Sequence, residues 1–99
     1  MEITAKDFFK DNGEACYLVA IEGNSNAIIK GMNSYESGGT EDLVVIPNQK
    51  AFENHKEKTF AAVVIPKNLA KSAALLPKET AIFISAAIEL SHALIKQKL

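Results

Sequence analysis

The chain has 99 residues, of which 47% are apolar and 23% are charged, and its formal net charge is −1 at pH 7. This length predicts one domain over residues 1–99, and the composition is that of a soluble globular protein. The balanced charge, without a basic block interleaved with aromatics, argues against a nucleic-acid partner. The charged N-terminus and the short apolar runs predict a cytoplasmic protein with no membrane span. The single cysteine, Cys16, excludes an internal disulfide.

The first 40 residues predict a helix, two strands and a loop. The helix is expected over residues 5–11, with Thr4 as its cap and an Asn-Gly pair at its end. Runs of branched and aromatic residues predict strands over 17–21 and 27–32. The turn residues between these strands allow them to pair as a hairpin. A polar loop that contains two glycines follows over 33–40.

From residue 43 onward, strands and helices alternate. Two continuous apolar runs, 43–46 and 60–65, predict strands that are covered on both faces, and residues 80–84 predict the last strand. Three segments, each preceded by a polar cap residue, predict helices: 49–55 after Asn48, 69–75 after Asn68, and 86–98 after Ser85. This order implies parallel strands joined by right-handed crossovers. The predicted fold class is therefore α/β, with a small, mostly parallel sheet of about five strands flanked by helices, preceded by an N-terminal helix and hairpin.

Polar residues follow the first of these apolar strands, in the sequence Pro-Asn-Gln-Lys at 47–50. In α/β folds, ligands bind beyond the carboxyl ends of the strands. We therefore expect a binding site where strand 43–46 ends.

Three stretches carry a resemblance to a known family: IKGMNSYES at 29–37, EDLVVIPNQK at 41–50 and FAAVVIP at 60–66. With these motifs, the chain from about residue 28 to the C-terminus resembles the N-terminal domain of UDP-3-O-acylglucosamine N-acyltransferase, an enzyme of lipid A biosynthesis. The N-terminal domains of the Mur peptidoglycan ligases share a similar pattern and are a related alternative.

In the acyltransferase family, this domain holds the uridine of a UDP-sugar, and the catalytic histidine lies in a following β-helix domain. The resemblance implies a UDP-sugar at Asn48 and Lys50, which occupy the asparagine and lysine positions of the family motif. Val45 stands where the family has phenylalanine, and Ala51 where it has tyrosine, with Phe52 one position later. Because stacking of a base on an aromatic ring contributes about 1–3 kcal/mol, we expect UDP-sugar binding at Val45, Asn48, Lys50 and Phe52 to be weakened.

Each candidate residue also has a purely structural interpretation. Asn48 suits a helix cap, Lys50 a solvated surface position, and Phe52 the core side of a short helix. His55 and His92 have no carboxylate or cysteine at ligand spacing, so neither a metal nor a cofactor is predicted. No paired carboxylates and no Ser/His/Asp arrangement can be argued, so no catalytic residue is predicted, and an enzyme is disfavoured.

Three functions remain open. The first, which we favour, is a stand-alone, non-catalytic relative of the acyltransferase domain that binds a UDP-sugar. The second is a protein-interaction or assembly module that has lost nucleotide binding and meets a protein partner or a second copy. Its candidate surface is an apolar stripe on the final helix: Ile88, Leu94, Ile95 and Leu99. The third is an acyltransferase in its own right, which would need a catalytic base and an acyl-carrier docking surface.

Overall fold

The computed structural model describes residues 2–99 and is built around a five-stranded sheet. In chain order, the elements are β1 (Ile3–Thr4), α1 (Ala5–Asn12), β2 (Leu18–Gly23), β3 (Ile28–Ile29), β4 (Gly31–Met32), β5 (Asp42–Val45), α2 (Gln49–His55), β6 (Ala62–Pro66), a 3-10 helix (Lys67–Leu75), β7 (Ala81–Ser85) and α3 (Ile88–Lys98). The strand order is β2-β7-β6-β5-β4. Strands β4 to β7 are parallel, and β2 is antiparallel to β7. The predicted α/β class with a mostly parallel sheet is confirmed.

The parallel strands follow one another across the sheet without a reversal of direction. When successive right-handed crossovers all move the same way across a sheet, their connecting helices lie on the same face of that sheet. Accordingly, α2 and the 3-10 helix pack against one hydrophobic cluster, and α1 and α3 pack against another on the opposite face. We call these the α2 face and the α3 face.

Alternation along the strands supplies both faces with apolar side chains, because successive residues of a strand point in opposite directions. The strand residues of the α2 face include Val44, Ile46, Val63, Ile65, Ile82 and Ile84. Those of the α3 face include Leu43, Val45, Ala62, Val64, Ala81 and Phe83. The continuous apolar runs seen in the sequence are thus explained by burial on both sides, as predicted.

The predicted hairpin between residues 17–21 and 27–32 is wrong. β2 pairs with β7 instead, and the second predicted strand is interrupted at Lys30. The part before Lys30 pairs antiparallel with β1, and the part after it pairs parallel with β5. The turn after Gly23, whose φ is 74°, directs the chain towards α1. β7 is a longer partner for β2 than β3 or β4 would be, and it is fully buried. The turn residues next to β2 contain no information about this distant strand.

Two of the predicted helix caps are confirmed. The Thr4 hydroxyl accepts a hydrogen bond of 3.2 Å from the backbone N–H of Asp7 and so caps α1. The Asn48 side-chain oxygen accepts one of 2.9 Å from the N–H of Ala51 and caps α2. Each cap satisfies an N–H group that the first helical turn leaves without a partner.

The other two predicted caps are wrong. The segment after β6 is a 3-10 helix that begins directly after Pro66, so Asn68 lies inside it. Helix α3 begins at Ile88 without a side-chain cap, two residues later than predicted. Ser85 is the last residue of β7, where its buried hydroxyl accepts a hydrogen bond of 3.0 Å from the N–H of Ala87.

β2 forms one edge of the sheet, and its pairing with β7 is irregular. The register shifts between Leu18 and Ala20, so Val19 is an extra residue that forms a bulge. Tyr17, just before the strand, has a positive φ of 61°. Over residues 2–99, none of the helices is both long enough and apolar enough to span a membrane.

Candidate functional site

A cleft of about 510 Å³ lies at the carboxyl ends of β4 and β5, between α3 and the loop that follows β4. We call that loop, residues 33–38, the β4 loop. The cleft is lined by residues of the β4 loop, the end of β5 and one side of α3: Met32, Asn33, Ser34, Tyr35, Val45, Pro47, His92, Lys96 and Leu99. This is the edge of the sheet at which parallel α/β proteins bind ligands.

One wall of the cleft is formed by α3. His92, Lys96 and Leu99 are spaced by four and three residues, so they share one side of the helix. Ser91 and Ile95 lie on another side and are fully buried against the sheet. The helix therefore presents two cationic or hydrogen-bonding side chains to the cleft while its apolar side faces the core.

The position of α3 is fixed by a chain of buried hydrogen bonds. The Ser91 hydroxyl donates to the backbone carbonyl of Cys16 at 2.5 Å. The Ser85 and Ser91 hydroxyls are 2.6 Å apart, and since the Ser91 hydrogen is already used, Ser85 donates to Ser91. Ser85 in turn accepts from Ala87, so four groups in a row polarise one another in a dry environment. This chain joins α3 to β7 and to the turn before β2.

The thiol of Cys16 lies beside this chain and is fully buried. Burial raises the pKa of the Cys16 thiol, and the nearby charge of Lys98 opposes that shift in part. A buried, protonated thiol is chemically inert.

The opposite wall, the β4 loop, is held by hydrogen bonds within itself. The Asn33 side-chain oxygen accepts from the N–H of Ser34 at 2.9 Å, and the Ser34 hydroxyl accepts from the N–H of Ser37 at 3.2 Å. The carbonyl of Ser34 accepts from Gly38 at 2.8 Å. These bonds use the side-chain oxygens as acceptors, so the amide N–H groups of Asn33 and the O–H of Ser34 can still donate to a ligand.

The β4 loop is also attached to the end of α2. Lys58 donates to the carbonyls of Tyr35 and Glu36, at 3.4 Å and 3.2 Å. The ring of Tyr35 meets the ring of His55 edge-on, with centroids 4.8 Å apart. The loop is therefore held from the α2 side, so both walls of the cleft are anchored.

Of the four binding residues predicted from the sequence, one lies in the cleft. Val45 ends β5 on the α3 face and forms part of the floor. Asn48 and Lys50 are exposed outside the lining, and Asn48 caps α2. Phe52 is fully buried in the α2-face core, on the other side of the sheet, and presents no ring face to solvent.

Four further residues of the lining were not among those predicted from the sequence: Asn33, Ser34, His92 and Lys96. The sequence does contain a local indication for each pair. Asn33 and Ser34 directly follow a strand, and His92 and Lys96 have the i, i+4 spacing of residues on one side of a helix. Nothing in the sequence joins the pairs, because β4 and α3 are brought together only by the order of the strands.

The apolar stripe expected on the final helix packs mostly inwards. Ile95 is fully buried, and Ile88, Leu94 and Leu99 are partly buried against the α3-face core. The exposed large apolar residue of α3 is Leu90, with 52% of its surface accessible. Core packing is therefore the main use of this stripe.

The charges around the cleft are unbalanced. None of the described residues that line it has a carboxylate side chain, whereas Lys96 and His92 both face it. A second cavity, of about 530 Å³, lies at the amino ends of the parallel strands and contains Lys30 together with Glu41 and Glu79. Within residues 2–99, no three His, Cys, Asp or Glu side chains are grouped as ligands for a metal ion.

The motifs that resemble the acyltransferase domain lie on β3 to β6 and on the loops between them. Kinship with that domain stays a prediction from these motifs. No protein-family model matches the chain, and no curated protein matches it.

Proposed function

We propose that this domain is non-catalytic and binds a nucleotide sugar of the UDP-sugar type in the cleft between α3 and the β4 loop. The observation that carries the proposal is the cleft itself, at the carboxyl edge of the parallel strands, with Val45 of the predicted site in its floor. The resemblance of residues 29–66 to a uridine-binding domain supplies the ligand class.

The size and the lining of the cleft suit such a ligand. Small-molecule sites occupy roughly 300–1,000 Å³ and combine apolar walls with a few polar groups, and this cleft has about 510 Å³. Met32, Val45 and Leu99 supply apolar surface, and the Asn33 amide can donate to a base edge. Tyr35 lies in the lining, but its ring packs against His55 and the α2-face core, so we expect a base to gain little from stacking here.

The direct test is a titration with UDP-N-acetylglucosamine, followed by amide chemical shifts of the ¹⁵N-labelled protein. We expect saturable shifts for residues of both cleft walls and of the floor: Asn33, Ser34, Val45 and Lys96. Uridine alone should shift the amides of the floor and of the β4 loop, and it should bind more weakly than UDP-N-acetylglucosamine. If millimolar UDP-N-acetylglucosamine leaves these amides unmoved, the proposal fails.

Asn48 and Lys50 keep their predicted role as further contacts in this proposal, because they follow the same strand end. Replacement Asn48→Asp separates binding from capping, since aspartate caps a helix about as well as asparagine. If Asn48 reads the base, the variant loses affinity while its free energy of unfolding is unchanged. If Asn48 only caps α2, both quantities stay at the wild-type values.

A protein-interaction module is the second candidate, and one observation favours it. Tyr17 and Val19 have 46% and 51% of their surfaces exposed, and together with Phe9 they line a groove beside β2. Large apolar side chains clustered at a surface mark contact sites. Sedimentation equilibrium of the wild type and of a Val19→Lys variant tests the case of a second copy: association that the variant abolishes supports this function, and a monomer in both cases rules out self-association through this groove.

A further inference from the structure

We infer that His92 and Lys96 on α3 form an anion subsite, which takes the phosphate group of a phosphorylated small molecule. The inference rests on the proposed function only for the identity of the rest of that ligand. It concerns two residues of the cleft wall that the predicted UDP-sugar site did not include.

The geometry of α3 brings the two side chains to one place. His92 and Lys96 are one helical turn apart, and both line the cleft. Side chains at this spacing have Cβ atoms about 5–6 Å apart on the helix surface. A single phosphate between them can therefore accept from the lysine ammonium and from an imidazole N–H at once.

Lys96 is not neutralised by the protein. The ion pairs found among residues 2–99 involve Lys30 and Lys56, so Lys96 has no carboxylate partner there. Glu89 lies one turn before His92 on α3, but it does not line the cleft. The positive charge of Lys96 is thus available to a ligand.

The opposite wall adds neutral donors. The side-chain N–H groups of Asn33 and the hydroxyl hydrogen of Ser34 have no protein acceptor within the described part of the chain. A phosphate is rich in acceptor oxygens and carries no strong donor when ionised. A lining with several donors, a cation and no carboxylate side chain matches that chemistry.

The second cavity, at the amino ends of the strands, does not share this suitability for a phosphate. There, Lys30 is 2.6 Å from Glu41 and 3.2 Å from Glu2, so its charge is already compensated. Glu79 adds a further carboxylate to the lining. An anion would be repelled from the amino end of the sheet and attracted to the carboxyl end.

The test uses inorganic pyrophosphate as the probe, with binding followed by calorimetry and by amide shifts at low ionic strength. We expect Lys96→Gln to weaken binding about fivefold and His92→Gln about twofold, the effect of removing partly screened charge-assisted hydrogen bonds. Glu89→Gln removes a nearby negative charge and should strengthen binding slightly. Lys96→Arg keeps the charge and should retain most of the affinity.

Lys71→Gln is the matched control. Lys71 is exposed on the 3-10 helix of the α2 face, so this variant changes the net charge equally but far from the cleft. If Lys71→Gln weakens binding as much as Lys96→Gln does, the attraction is general and the inference is overturned. Melting temperatures verify that each variant is folded. A version extended by a short Gly-Ser tail is titrated in parallel, because a carboxylate at Leu99 would compete with pyrophosphate for the Lys96 ammonium.

Titration with UDP-N-acetylglucosamine separates this inference from the proposed function. If the nucleotide sugar binds and Lys96→Gln leaves its affinity unchanged, the inference fails and the function stands. If pyrophosphate depends on Lys96 and the nucleotide sugar binds no more tightly than pyrophosphate, the inference stands and the function fails. If neither compound binds, both fail.

Discussion

The two faces of the sheet are covered in different ways, although the same strands supply both. On the α2 face, Phe52 and Phe60 are fully buried among aliphatic side chains, and the covering is tight. On the α3 face, hydrogen bonds through Ser85 and Ser91 hold the helix, and the end of β5 opens into the cleft. The α3-face core also buries Phe8, Phe83 and Ile95 fully, so the two faces differ in this polar anchor and in the opening at the end of β5, not in the presence of large side chains.

Removal of a ring from the α2 face should have the largest effect. Phe52→Ala is expected to lower the free energy of unfolding by about 3–4 kcal/mol, because it leaves a ring-sized cavity in a dry core. Val45→Ala, at the floor of the cleft, should cost only about 1 kcal/mol, since fewer methyl groups are lost beside open space. Urea denaturation measures both. Equal losses would show that the two faces are packed alike.

Addition of a methyl group tests how tightly the α2 face is filled. A Cβ at Gly38 would lie 2.7 Å from Cγ1 of Val44, whereas a Cβ at Gly39 would have no atom within 4 Å. We expect Gly38→Ala to cost about 1–3 kcal/mol through overpacking. Gly39→Ala should be neutral or slightly stabilising, because it restricts the unfolded chain. If both variants are as stable as the wild type, this face has room that the structure does not show.

The polar anchor of the α3 face should have an intermediate effect. Ser91→Ala leaves the Cys16 carbonyl and the Ser85 hydroxyl without their partner, at an expected cost of about 1–3 kcal/mol. Ser72, whose hydroxyl has no protein partner among the described residues, provides the control, and Ser72→Ala should change the stability little.

The same variant should expose the cysteine. The turn that carries Cys16 is held by Ser91, so Ser91→Ala is expected to increase the rate at which a thiol reagent modifies Cys16. The reaction is followed spectrophotometrically under conditions where all variants are folded. An unchanged rate would mean that Ser91 does not hold this turn.

The smallest effect should come from charges that belong to neither face. Hydrogen bonds that the Lys30 ammonium donates to Glu41 and, to a lesser extent, to Glu2 raise the pKa of Lys30 above its ordinary value of 10.5. A raised pKa in the folded state contributes stability that is complete below pH 10.5 and is lost as the pH rises through the folded value. Lys30→Gln should therefore lower the melting temperature slightly at neutral pH and low salt.

That difference should vanish in 1 M salt and well above pH 10.5, because screening and deprotonation both remove the interaction. Thermal unfolding at several pH values and salt concentrations measures it. A difference that persists in 1 M salt would indicate a role for Lys30 other than its charge.

The features that the sequence predicted correctly are local ones. The strands β5, β6 and β7 were located to within two residues, because their apolar runs need no knowledge of the partner strand. Helix α2 and its cap at Asn48 were also predicted, since a cap acts over three residues. The pairing of β2 with β7 was not, because turn chemistry between neighbouring segments says nothing about a strand at the other end of the chain.

The candidate site shows the same division between local and distant information. Val45 was expected in the site because it stands at the phenylalanine position of the family motif, and it lies in the cleft. Phe52 was expected there because it lies one position after the tyrosine position of the family motif, but after β5 the chain crosses to the α2 face and takes Phe52 into that core. Lys96 and Asn33 meet across the cleft from opposite ends of the fold, which no pattern of spacing encodes.

The bulge at Val19 has a consequence for the behaviour of many copies in solution. A sheet of apolar strands can act as a template on which further molecules stack edge to edge. Here the displaced residue breaks the regular ladder of donors and acceptors along β2, and the opposite border is a strand of only two residues, Gly31–Met32. Neither border offers a long, regular template, so we expect edge-to-edge stacking of this protein into fibres to be disfavoured.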